Sequence, residues 1–247
     1  LPGKGTEASV DRINERSNSA TAYALGLDCE TLYFDIETGL KVTRYIENAE
    51  TLTVATAKRE NNMASMARAL GILHTSQQVF TKTFDPFREI ESYVEQVLLL
   101  DGPLFEDYCR IEPQIKSLEE ELRRIGIEYV PCHLDAWPEN FVKSDERVYL
   151  IDWEYSANYD PLWDVVSIGL ECGYAANDEE LFLQKYWGRV PTDVERRKMD
   201  MLRVIMDIHW SMWALAKVSN GDRHLYEYSC ARYSRAKKNL ERCYVAR

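Results

Sequence analysis

The stretch "HLDAWPEN", residues 133–140, sets an imidazole, a carboxylate and an amide in a segment where neither helix nor strand can continue. Pro138 lacks a backbone N–H, and Asp and Asn favour chain reversals, so turn formation alone could explain these residue types. The sequence downstream asks for more. The apolar run "VYLI" stops at Asp152, with Glu154 two positions further on. A hairpin of "NFV" and "VYLI" around "KSDER" brings Asn140 and Asp152 to the same end of a short ribbon, with Asp135 on the loop before it. Two carboxylates and an amide oxygen then share one small volume. Hard oxygen donors of this kind suit Mg²⁺, whereas one histidine without a paired cysteine does not make a zinc set.

Composition narrows the chemistry this cluster can serve. The chain has 247 residues, 45% hydrophobic and 29% charged, enough for one large domain or two closely packed lobes. Its formal net charge of −11 and lack of a dense basic cluster argue against nucleic acid and mildly favour a cationic small molecule. The six cysteines (Cys29, Cys109, Cys132, Cys172, Cys230 and Cys243) show no CxxC pair, as expected of reduced thiols in the cytoplasm. No apolar run reaches the roughly 18 residues of a membrane span, and no signal-peptide pattern opens the sequence. These features predict a soluble, cytoplasmic protein.

Periodicity divides the chain unevenly. A polar helix is predicted over 9–24, and "TLYFDIETGLKVTRYI" reads as a hairpin turning at Glu37-Thr38-Gly39. Apolar residues at three- and four-residue spacing predict helices over 53–73, 86–100, 104–125, 162–174, 178–187, 193–219 and 222–243. Strand-like material returns only at "EYVPC" and "RVYLI". The fold class is therefore α+β, with a small β-containing part over 1–48 and a larger helical part over 49–247, divided near "YIENAETL".

The spacing H-x-D-x-x-x-x-N, followed by an apolar strand ending in aspartate, is the arrangement a kinase catalytic loop needs. In that reading Asp135 accepts the proton of an attacking hydroxyl, and Asn140 and Asp152 hold Mg²⁺. "HLDAWPENF" with "LIDWEYSANYDPLWDVVSIGLE" resembles the choline/ethanolamine kinase family, most closely the bacterial choline kinases, in the superfamily that includes aminoglycoside phosphotransferases. "FDIETGLKVTRYIENAETL", "HWSMWALAK" and "YSCARYSRAKKN" extend the resemblance over nearly the whole chain. Trp153-Glu154 after the aspartate, in place of Phe-Gly, points to small-molecule kinases.

The resemblance implies a bilobal protein-kinase-like fold and ATP- and Mg²⁺-dependent phosphorylation of choline. It places adenine on backbone groups of Tyr45, Ile46 and Glu47, and makes Glu15 the partner of a phosphate-binding cation. His133 orients the loop, Asp164 opens a helix and supports it, and His74 is structural. Trp210 and Trp213, three apart on one helix face, match positions lining the choline pocket, with Tyr155, Tyr228 and Glu171, and with Tyr174 one turn beyond Glu171. Tryptophans so spaced are more often core, but a quaternary ammonium has no N–H and is recognised by aromatic faces and a carboxylate. Kinases of this kind place strands, a glycine loop and a cation before the segment resembling "LPGKGTE", so the small lobe reads as truncated. Gly3-Lys4-Gly5 reads as a connector, not a phosphate loop. Two alternatives stay open: a kinase of ethanolamine, an aminoglycoside or another hydroxylated amine, and a non-catalytic, choline-binding degenerate kinase.

Overall fold

A computed structural model describes residues 10–145 and 147–245. Gly3-Lys4-Gly5 therefore lies outside the described residues. The chain divides into two compact units, each assembled from two stretches: 1–84 with 128–191, and 85–127 with 192–247.

The first unit begins with α1 (Arg12–Ala24), whose N-terminus is capped by Asp11, its carboxylate accepting from the N–H groups of Ile13 and Asn14. The hairpin β1 (Thr31–Phe34) and β2 (Lys41–Thr43) follows, antiparallel. Its loop is closed by Asp35, which accepts from Glu37 N and the Thr38 hydroxyl, and by Gly39 at φ 68°, a conformation glycine adopts without strain. β3 (Ala49–Thr51) was not foreseen. It is short and exposed, has no apolar alternation, and exists because it pairs with β5 (Phe141–Ser144). β5 pairs in turn with β6 (Arg147–Leu150), placing Phe141 opposite Leu150 in the predicted ribbon.

The helix expected over 53–73 is two helices, α2 (Val54–Ala57) and α3 (Glu60–His74). A reciprocal Thr53–Thr56 capping box closes α2 within one turn, and the Asn62 amide donates to the Thr56 carbonyl across the break. Apolar spacing continued through the break, so periodicity alone could not reveal it. β4 (Val130–Cys132) pairs with β7 (Ala157–Tyr159), and α6 (Leu162–Glu171) and α7 (Ala176–Trp187) complete the unit. Its core gathers Leu70, Leu73, Phe141, Trp153, Tyr159 and Trp163, with Phe84 edge-on to both Tyr159 and Trp163.

The second unit is helical throughout: α4 (Pro86–Leu99), α5 (Tyr108–Ile125), the long α8 (Asp193–Ser219) and α9 (Tyr226–Val245). Thr192 and Glu195 cap α8 reciprocally. α8 and α9 are joined by Ser211 and Ser229, each hydroxyl donating to the other's carbonyl, and by Asp207, which pairs with Arg232 and Arg235. Expected helices 86–100, 193–219 and 222–243 are all present, with a 3-10 turn at Arg223–Leu225 leading into α9.

Asn158 holds a chain segment in place of a strand. Its amide donates to the Phe80 and Lys82 carbonyls and its oxygen accepts from Phe80 N, all in the interior. Replacing it with alanine leaves the buried Phe80 N–H and carbonyl without these partners, each a substantial desolvation loss, while the Lys82 carbonyl keeps the backbone N–H of residue 158. Asn158→Ala is expected to lower stability by about 2–4 kcal/mol in urea unfolding.

Candidate active site

The loop between β4 and β5 carries His133, Asp135 and Asn140, and the end of β6 leads into Asp152. The backbone hydrogen bond from Ile151 N to the Asn140 carbonyl, 2.9 Å, sets the two metal-ligand candidates on adjacent chain. The anticipated convergence of Asp135, Asn140 and Asp152 is thus present within one unit.

What holds this loop is buried beneath it. Asp164, fully buried in the first turn of α6, does not cap its own helix. It accepts from His133 N at 2.7 Å, Leu134 N at 2.8 Å and His74 Nε2 at 3.0 Å. Leu134 sits at φ 68°, a left-handed conformation that costs a branched residue on the order of 1–3 kcal/mol. It persists because both its backbone groups are held: its N–H by Asp164, its carbonyl by the Trp163 indole N–H at 3.1 Å. Asp152 is a second left-handed residue, at φ 69°. Strained backbone on both sides of the site turns Asp135 and Asp152 away from where regular structure would send them.

His133 is fully buried, and its Nε2 donates to the Ile151 carbonyl at 2.9 Å, tying the loop to the residue before Asp152. It orients and does not face solvent. His74 bridges Asp164 and the Tyr186 hydroxyl, as a structural histidine does. His74, Cys132 and Asp164 have the mutual spacing of a metal set, but the Asp164 oxygens are consumed by N–H donors and Cys132 Sγ donates to the Tyr159 carbonyl. This cluster is a strut.

The Asn140 amide nitrogen donates to the Asp135 carbonyl at 2.9 Å and to its carboxylate at 3.3 Å. Its oxygen takes part in no hydrogen bond among the described residues. Asp152 is exposed, and among the described residues its carboxylate takes part in no hydrogen bond or ion pair. Burial first, then the Asp152 and Glu171 charges, push the Asp135 carboxyl up to about 6, partly offset by His133 and Asn140. Burial and Asp152 likewise raise the Glu154 carboxyl. This excess of negative charge, with free oxygen atoms on Asn140 and Asp152, fits a divalent cation.

Glu15 is buried, not solvated, and pairs with Arg12 at 2.6 Å; Arg12 also reaches Glu154 at 3.1 Å. On the same helix, the amides of Asn14 and Asn18 both donate to the Ser156 carbonyl. The polar face of α1 is thereby fastened to the chain just after Asp152, a role for Asn14 and Asn18 that sequence reasoning missed because buried asparagines look like surface polars. Tyr45 is 85% exposed, and among the described residues no hydrogen bond engages the backbone of Tyr45 or Ile46. The Glu47 carbonyl accepts from the Ser144 hydroxyl at 2.6 Å.

Tyr155, Glu171 and Tyr174 belong to the first unit, and the Tyr174 hydroxyl donates to the Ala57 carbonyl at 3.1 Å. Trp210, Trp213 and Tyr228 belong to the second. There the two indoles meet edge to face at 5.5 Å, His209 meets Trp210 at 5.1 Å, and the Arg232 guanidinium covers the Tyr228 ring at 5.0 Å. Trp210 is buried, while Trp213 is partly exposed with its indole N–H buried and unpartnered among the described residues.

Residues 18–191 match the phosphotransferase enzyme family. The chain is 28% identical over 249 aligned positions to the protein LicA of Haemophilus influenzae, covering 98% of this chain and 92% of that one. It is 35% identical to the choline kinase LicA of Streptococcus pneumoniae, whose crystal structure superposes with a TM-score of 0.87 over 98% of this chain and 84% of that one. A crystal structure of LicA in complex with AMP is likewise 35% identical, with a TM-score of 0.85, covering 98% and 82% of the respective chains. The chain belongs to the phosphotransferase enzyme family and, within its protein-kinase-like fold, to the choline kinase family. It is a kinase, and no described helix is long and apolar enough to cross a membrane.

Removing Asp164 would orphan three buried N–H donors and free Leu134 to relax. Asp164→Ala is expected to cost about 3–5 kcal/mol in thermal or urea unfolding. At temperatures where the variant stays folded, kcat should fall by more than tenfold.

Proposed function

We propose that this protein transfers the γ-phosphoryl group of ATP to the hydroxyl of choline, giving phosphocholine and ADP. The observation that carries the reading is the site itself: Asp135 and Asn140 on a loop with left-handed Leu134, beside the left-handed Asp152, with Asn140 spending its N–H on Asp135. Similarity to a protein titled choline kinase supports the acceptor, and similarity to an AMP complex supports an adenine nucleotide.

In this mechanism Asp135 accepts the hydroxyl proton as the choline oxygen attacks, and ADP leaves on the opposite side of the phosphorus. Asn140 and Asp152 would hold Mg²⁺, which when bound neutralises phosphate charge and counters the mutual repulsion that raises Asp135. The free backbone groups of Tyr45 and Ile46 are suited to an adenine edge, with Glu47 beside them. Glu15 and Arg12 form the buried ion pair at the base of the phosphate side. The divide between a small lobe, 1–48, and a larger lobe, 49–247, belongs to this reading.

Choline's trimethylammonium offers no N–H, so we assign it to aromatic faces and a carboxylate, for which the candidates are Tyr155 and Glu171 in the first unit and Trp210, Trp213 and Tyr228 in the second. Of these, Trp213 is best suited, being partly exposed between the buried Met212 and Ala214. Tyr228 already carries Arg232 over its ring, and Tyr174 spends its hydroxyl on Ala57. Tyr174 would contribute its ring alone.

A coupled ADP-release assay with Mg²⁺-ATP and choline, ethanolamine, an aminoglycoside or no acceptor tests the reading. Turnover with choline, reduced at least a thousandfold in Asp135→Ala with an unchanged melting temperature, is the expected outcome. Turnover confined to another amine would replace choline as acceptor. Choline binding in a folded protein that turns over no acceptor would establish the degenerate, non-catalytic alternative. In Trp213→Ala, KM for choline should rise about tenfold or more while KM for ATP stays within twofold, consistent with roughly 1–2 kcal/mol from a cation–π face. Equal loss of both substrates with a lowered melting temperature would make Trp213 a core residue.

A further inference from the structure

Asp28 lies in the interior of the first unit, 1% exposed, where an aspartate needs a reason to be. Its Oδ1 accepts from Cys29 N at 2.7 Å and from Cys29 Sγ at 3.4 Å. Its Oδ2 is buried and has no hydrogen-bond partner among the described residues. Lys41 stands 3.9 Å from Oδ2, close enough to balance charge and too far for a hydrogen bond, and directs its own proton to the Ser19 hydroxyl.

A second orphan lies in the same region. His133 is fully buried, and its Nδ1 likewise lacks a partner. The backbone brings the two together. Leu150 N donates to the Leu27 carbonyl at 2.7 Å, so the chain at 27–28 runs beside the chain at 150–151. His133 Nε2 bonds the Ile151 carbonyl, one residue beyond the link between Leu27 and Leu150. The His133 ring also acts electrostatically on Asp28.

Hydrogen-bond logic then restricts what joins them. A carbonyl can only accept, so His133 Nε2 must carry the proton given to Ile151. In the neutral ring this leaves Nδ1 an acceptor, and an ionised Asp28 Oδ2 is an acceptor too. A shared donor would satisfy both buried acceptors, and a water with two hydrogens is the simplest one. We propose that Asp28 is a positioning residue for the catalytic loop, joined through one buried water to His133 Nδ1 and thereby fixing the ring that ties the loop to Ile151 and Asp152.

This inference rests on the kinase reading for its kinetic consequence, though not for the link itself. Kinetically, Asp28→Leu is expected to lower kcat about tenfold with KM for choline and ATP within twofold. Asp28→Asn, the same length as aspartate, can donate its amide N–H to the water oxygen while the water still donates to Nδ1, and should recover most of that loss. In a double-mutant cycle, Asp28→Leu/His133→Phe should be no slower than His133→Phe alone, because both act through one ring. Additive losses would overturn the proposal, as would an Asp28→Leu protein that stays folded with unchanged kcat. Should Asp28→Leu not fold, Asp28→Asn and the second measurement carry the test. That measurement is ¹⁵N NMR of His133 in wild-type and Asp28→Asn protein. A wild-type Nε2–H tautomer whose Nδ1 shift moves on substitution supports the link, and an unmoved Nδ1 overturns it. Because the NMR arm needs no turnover, loss of the kinase reading and loss of this proposal are distinguishable.

Discussion

A single carboxylate, Asp164, accepts three N–H donors in an interior that excludes water, and the site depends on it. Two of these donors are the backbone N–H groups of consecutive loop residues, His133 and Leu134. An isolated loop would relax from the left-handed conformation at Leu134. Here relaxing would break hydrogen bonds to an ion, which are worth more than the strain they maintain. The direction in which Asp135 emerges is therefore set from α6, far along the sequence. His74 and Tyr186 extend the same network into α3 and α7, so the elements behind the site are rigid where it must be precise.

Much of this was legible before the fold was known, and the reason is chemical. Asp135, Asn140 and Asp152 differ from turn formers only in how a hairpin registers them, and the hairpin was readable because "NFV" and the apolar run "VYLI" flank a polar turn. Long helices were equally plain where apolar spacing ran uninterrupted, as in α4 and α8. What stayed hidden depends on contacts remote in sequence. β3 has no apolar pattern of its own, and β7 is a strand by virtue of β4. Asp164 was expected both to open a helix and to support the loop; tertiary structure adds which N–H groups its oxygens accept from. Asp28 carried no signal at all, since a lone aspartate before a cysteine resembles any turn.

The second unit is built by different means. Its helices are joined through charge and hydroxyl pairs, with Asp207 facing Arg232 and Arg235 and the two serines exchanging hydrogen bonds. Such pairs fix the rotational register of α8 against α9 more tightly than apolar packing would. That register decides which face of α8 carries Trp210 into the core and leaves Trp213 partly open. A tryptophan pair that looks alike by spacing is thus divided into one buried ring and one partly exposed ring.

The account holds that Asp135 meets the acceptor hydroxyl while Asn140 and Asp152 take the metal. The most direct measurement is a crystal structure with Mg²⁺, a non-hydrolysable ATP analogue and choline. It should show the choline oxygen within about 3 Å of an Asp135 carboxylate oxygen, and Mg²⁺ coordinated by Asn140 Oδ1 and Asp152. A choline hydroxyl held away from Asp135, or a metal ligated by other residues, would contradict it.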